Sequence, residues 1–145
     1  MKIWGKGYTM NEEMLMLFPA VLREKIRTGE FIFPDGTEYE FDPIEAYRCY
    51  FRNNDRAIDR EDFRSHAERG IRLRGTGNKK PEYYGTSLFV SLDELNNIES
   101  LNKPEKCVAK GFVYDAGGPI LRSSKNTHIC WWMHEQADVS SFRKI

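Results

Sequence analysis

Apolar residues recur three and four positions apart early in the chain. Met14, Leu17, Phe18, Val21, Leu22 and Ile26 fall on one face of a helix. Asn11 is placed to cap that helix, Glu12 and Glu13 put negative charge in its first turn, and Gly29 supplies a stop. Pro19 interrupts the run. Its ring crowds the preceding turn and its nitrogen carries no proton, which predicts a kink or two short helices. The pattern then changes. Phe31-Ile32-Phe33 and Glu38-Tyr39-Glu40-Phe41 flank Pro34-Asp35-Gly36-Thr37, which predicts a β-hairpin with Tyr39 and Phe41 on one side and Glu38 and Glu40 on the other.

After Asp42-Pro43, residues 46–52 alternate: Tyr47, Cys49 and Phe51 oppose Arg48, Tyr50 and Arg52, as in a strand. Asp59 is placed to cap a second helix, with Phe63, His66 and Ala67 inward and Gly70 at its end. Residues 71–81 read as a basic, glycine-containing loop, and 84–90 as a strand. Ser91-Leu92-Asp93-Glu94 is a capping box that opens a short helix to about Ile98. Residues 107–114 read as a buried strand. Asp115-Ala116-Gly117-Gly118-Pro119 is a turn, 120–122 pairs back, and 123–126 turns again into a strand over 127–133. Helices lead, strands dominate the second half, and no repeat or linker divides the chain. The expectation is one compact domain over residues 1–145, of α+β class, with N-terminal helices packed on a mixed, mostly antiparallel β-sheet.

The 145 residues suit a single domain able to bury a core without disulfides or metal. With 40% hydrophobic and 30% charged residues the composition is that of a soluble globular protein. The formal net charge is zero, so no global field draws the chain to nucleic acid or to a membrane surface. Its apolar runs are too short to span a bilayer, and the N-terminus lacks the apolar region of a secretory signal. Cys49, Cys107 and Cys130 form an odd, widely spaced set without C-x-x-C, which suits reduced thiols and a cytoplasmic setting. Locally the charge is uneven. Residues 46–80 hold ten bases and five acids, and residues 1–45 hold five bases and nine acids. Either the molecule is a dipole or the two segments neutralise each other in the fold.

The densest chemistry lies at Thr127-His128-Ile129-Cys130-Trp131-Trp132-Met133-His134-Glu135. On a strand His128, Cys130, Trp132 and His134 share one face, and Ile129, Trp131, Met133 and Glu135 share the other. The two histidines would stand about 20 Å apart at the strand rise, too far for one metal ion, so no metal site is assigned. The strand is then either core with hydrogen-bonded histidines or the wall of a pocket. In the second case Trp132 stacks on a flat ligand, and His128 or His134 exchanges protons near neutral pH. Arg72, Arg74, Lys79 and Lys80 lie among Gly70, Gly75 and Gly77, an anion-binding composition without a Walker loop or dinucleotide fingerprint. Each cysteine sits in an apolar pattern, the setting of an inert packing residue. The leading expectation is a domain that binds an anionic or nucleotide-like ligand in a basic and aromatic cleft. Loop 69–80 and strand 127–135 would form the cleft's walls. Zero net charge argues against nucleic acid as partner, and nothing suggests a membrane. A further alternative is a non-catalytic protein-interaction or inhibitor module presenting Glu38 and Glu40 at a sheet edge.

One order of elements carries a resemblance. Tyr47-Arg48 stands in an early strand, and a short helix follows Asp59. Tyr84-Gly85-Thr86-Ser87-Leu88-Phe89-Val90-Ser91 leads from a strand into a helix, and Glu135 closes a late strand. This order resembles the small ADP-ribosyltransferase-like domains. The resemblance implies NAD as cofactor and NAD-dependent ADP-ribosyl transfer or NAD cleavage as the activity. Arg48 would hold a phosphate or ribose, Thr86 and Ser87 would shape the nicotinamide pocket, and Glu135 would stabilise an oxocarbenium-like centre, making Arg48, Ser87 and Glu135 the catalytic set.

Overall fold

The computed structural model describes residues 2–3, 9–75, 77 and 80–145. Two short strands, β1 (Lys2–Ile3) and β2 (Thr9–Met10), pair antiparallel. Asn11 caps α1 (Glu12–Leu15), its side-chain oxygen accepting the Met14 N–H at 2.8 Å. Pro19 separates this turn from α2 (Ala20–Thr28) and stands as its N-cap, so the chain takes the form of two short helices. Gly29 ends α2 with φ of 80°, a left-handed conformation open to glycine.

The remaining strands are β3 (Ile44–Phe51), β4 (Thr86–Phe89), β5 (Lys106–Val113), β6 (Ile120–Arg122), β7 (His128–Trp131) and β8 (Arg143–Lys144). They form one six-stranded sheet in the order β6-β7-β4-β3-β5-β8. Each of its ladders is antiparallel. The class is therefore α+β, with the N-terminal helices preceding the sheet. Ser91 caps α3 (Leu92–Asn96), its hydroxyl accepting the Glu94 N–H at 3.2 Å, but the expected box does not close: the Ser91 N–H donates to the Thr127 hydroxyl, and the Glu94 carboxylate accepts from Thr127. No helix among the described residues is long and apolar enough to cross a membrane.

Strand alternation gives the sheet two apolar faces. One carries Ala46, Tyr50, Leu88, Ala109, Ile129 and Trp131, closed by Phe63 and by Phe142 near the C-terminus. Gly111 makes this closure possible, because a Cβ there would lie 2.5 Å from the Phe142 ring. The other face carries Cys130 and Trp132, covered by Leu15, Phe18, Leu22 and Ile26 of the helical segment and by Phe31 and Phe33. All three cysteines are buried and free.

Two expected elements are absent. The hairpin over 31–41 does not form. Phe31 and Phe33 are buried and Ile32 is 69% exposed, so the alternation is real. The two rings instead pack edge-on against Trp132, and the backbone makes a single bridge, Glu38 to Ile120. Glu38 is held by Arg122 at 2.8 Å, so it is not a free acidic edge. The helix expected from Asp59 to Gly70 is reduced to a 3₁₀ turn, Arg60–Phe63, with Asp59 and Asp62 in a capping box. Arg64 leaves helical geometry with ψ of 137°. Beyond it, the Ala67 N–H donates to the Tyr83 carbonyl at 3.1 Å, a tertiary bond in place of a helical one. The uneven charge is partly answered from outside both segments, since Lys110 lies 3.6 Å from Glu45 and Arg122 takes Glu38.

Candidate functional site

The register of four adjacent strands sets His128 opposite Phe89, Phe89 opposite Tyr47, and Tyr47 opposite Lys110. The four side chains therefore form one cross-strand row on the face that also carries Cys130 and Trp132. At roughly 4.8 Å between strands the row is about 14 Å long. All four are half-buried and Ser87, beside them, is exposed. The Phe89 and His128 rings meet edge to face at 5.2 Å. Lys110 places Nζ 5.9 Å from the centre of the Tyr47 ring, within cation–π range. Phe112, 38% exposed, continues the aromatic surface on β5.

Ser87 and His128 are bound to each other, Oγ to Nε2, at 2.9 Å. Burial lowers the His128 pKa, against a smaller opposing pull from Glu82. A neutral imidazole beside a hydroxyl supplies a donor and an acceptor at one end of the row. Cys130, on the same face, is an inert thiol: burial, then Glu82, pushes its pKa far above the ordinary range.

Arg48 reaches from β3 toward β4. Its Nε donates to the Asp62 carbonyl and its Nη1 to the Ser87 carbonyl, both at 3.0 Å. Burial first, then the neighbouring Arg69, lowers its pKa to about 10. Arg48 thus meets the Ser87 backbone alone, its side chain lying on the opposite face of the sheet from the Ser87 hydroxyl. Glu135 is placed differently. Its carboxylate accepts from Arg64, which also binds Glu68 and Glu61 at 2.8 Å. These bonds outweigh burial and hold Arg64 firmly protonated. The turn between the two groups touches both, since Asp62 accepts from Arg48 and Arg64 holds Glu135.

The other expected residues divide in the same way. Thr86 is buried and its hydroxyl donates to the Phe63 carbonyl. Trp132 is fully buried and donates through Nε1 to the Pro81 carbonyl at 3.0 Å. That bond ties the late strand to the turn Pro81–Tyr84, and Tyr83 of this turn donates to the Ile71 carbonyl at 2.6 Å. The basic loop and the strand are therefore linked through this turn. Arg72, Arg74 and Lys80 are exposed, and Lys79 lies outside the described residues. His134 packs edge-on against Phe18 at 5.0 Å, and its buried Nε2 has no partner among the described residues. Burial lowers its pKa against a hydrogen bond with the Ala116 backbone. His134 and Glu135 border a separate cleft of about 660 Å³ with Met16, Leu17 and Tyr114.

Tyr47, Phe89 and Lys110 are site residues that sequence reasoning did not single out. The alternation within each strand was visible, but the row exists only through the pairing of strands. Among the described residues no group of histidine, cysteine and carboxylate side chains is arranged to hold a metal ion. Comparison with protein-family models, curated proteins and solved structures finds no match for this chain.

Proposed function

We propose that the open row binds a small ligand carrying a flat ring and an anionic group, a nucleotide-like molecule. The ring stacks over Phe89 and Tyr47, the anion sits at Lys110, and Ser87 with His128 hydrogen-bonds the ring edge. The observation that carries this reading is the register that lines up His128, Phe89, Tyr47 and Lys110 across four strands. Lys110 is only loosely engaged by Glu45, at 3.6 Å, longer than a charge-assisted hydrogen bond. An incoming anion can therefore compete for it. Arg48 braces β4 from the opposite face of the sheet through the Ser87 carbonyl.

Titration of nucleoside monophosphates, of a nucleoside lacking phosphate and of ribose phosphate lacking a base tests this reading by calorimetry. The whole nucleotide should bind more tightly than either part. Removing a stacking ring costs about 1–3 kcal/mol, so Phe89→Ala should weaken nucleotide binding roughly 5- to 150-fold. Equal affinity for Phe89→Ala and the unaltered protein, or no binding by any of the three ligands, would contradict the proposal.

A further inference from the structure

A second cavity, of about 310 Å³, opens beside Tyr50 of β3 and Cys107 of β5. Tyr50 and Phe142 give it an aromatic wall. Arg52, Arg56, Arg143 and Lys144 bring cations to its lining, against the exposed carboxylate of Asp55. Arg52 is a deeply buried cation beside the cavity. Its side chain is 7% exposed. One guanidinium nitrogen donates to the carbonyls of Arg56 and Ala57, and another donates to the Asp62 carboxylate. Its third nitrogen, Nε, is buried and has no partner among the described residues. That N–H is closed off from the cavity as it is from solvent, so Arg52 serves the fold here and the free cations lie elsewhere in the lining. Asp59 and Asp62 answer Arg56, and Asp62 also answers Arg52. Arg143 donates to the backbone carbonyls of Ser140 and Phe142, and neither it nor Lys144 has a carboxylate partner among the described residues.

We propose that this cavity is a binding site for a soluble phosphate monoester, independent of the open row. The near-double negative charge of such a group at neutral pH pairs with the two unanswered cations, Arg143 and Lys144, against the single exposed carboxylate of Asp55. The organic part of the ester lies against Tyr50 and Phe142.

Calorimetric titration of butyl phosphate, which has no flat ring for the open row to stack, into the full chain tests this, with inorganic phosphate and phosphatidate vesicles as parallel probes. Butyl phosphate should bind more tightly than inorganic phosphate, and added salt should weaken it. Its affinity should fall at least tenfold in the Arg143→Glu/Lys144→Glu variant and stay unchanged in Phe89→Ala. Both substituted residues are exposed, and circular dichroism checks that the variant folds. If it does not, Lys144→Gln alone should lower affinity at least threefold. Undiminished affinity in the charge variants, loss in Phe89→Ala instead, binding to vesicles without binding to butyl phosphate, or no binding at all would overturn the proposal.

Discussion

Asp62 is the polar side chain on which the 52–64 segment depends. It is 6% exposed, accepts from Arg52 inside the fold, and also accepts the Asp59 N–H at 2.9 Å as the returning half of the capping box. Asp62→Ala removes all of this and leaves the Arg52 guanidinium buried without a counter-charge. Breaking a buried ion pair on one side costs about 3–5 kcal/mol. Loss of the cap adds about 1 kcal/mol. The Arg56 contact is half-exposed and contributes little. The expected loss is therefore roughly 4–6 kcal/mol, a large share of the 5–15 kcal/mol that holds a typical domain together. Urea denaturation of Asp62→Ala, Arg52→Met and the double variant measures it. The double variant should be more stable than the sum of the single losses predicts, because Met removes the stranded charge. Asp62→Asn should recover the capping share, about 1 kcal/mol, since its amide oxygen still accepts the Asp59 N–H. A loss below about 1 kcal/mol for Asp62→Ala would refute the reasoning, placing the pair among weak surface contacts.

Other consequences follow from single contacts. Gly118 has φ of 121°, and a Cβ there would stand 2.2 Å from the Trp132 carbonyl oxygen, so Gly118→Ala should cost roughly 3 kcal/mol or more in a thermal or urea melt. Gly85→Ala would bring a Cβ to 2.3 Å from the Cys130 sulfur; adding Cys130→Ala should restore part of the lost stability, and no restoration would show that the clash lies elsewhere. The pKa values of His128 and His134 are lowered by burial, so the unfolded chain binds protons at higher pH than the folded one. Stability should fall as pH drops below about 6.5 toward 5, and urea midpoints that stay flat over that window would contradict the burial of these rings. Glu135 is 41% exposed, so Glu135→Gln should cost less than about 1 kcal/mol and leave nucleotide affinity at the row unchanged.

Locally encoded features were legible in the sequence. The Asn11 cap, the break at Pro19, the stop at Gly29 and the Ser91 N-cap each depend on a few neighbouring residues and formed where the residue types placed them, while the returning half of the Ser91 box was lost to Thr127, which Glu94 binds instead. The segment 31–41 shows the limit. Its burial alternates as a strand would, yet the rings of Phe31 and Phe33 found a place around Trp132 without the backbone finding a partner strand. Asp59 capped a turn as expected, but Arg64 left helical geometry and Ala67 gave its N–H to Tyr83, so the residues up to Gly70 make only local turns. The same distinction applies to the site. Ser87 and His128 were recognisable as chemically able residues. Their hydrogen bond, and the row joining Tyr47 and Lys110 to Phe89, depend on register between strands distant in the chain. Strand alternation gives each residue's face and not its cross-strand neighbour.

Amide shift mapping during titration of a nucleoside monophosphate tests the central proposal most directly. The proposal predicts that the largest perturbations fall together on Tyr47, Ser87, Phe89, Lys110 and His128, on four different strands, and diminish in Phe89→Ala. Saturable binding whose perturbations leave all five residues untouched, or a spectrum unchanged at saturating nucleotide, would contradict it.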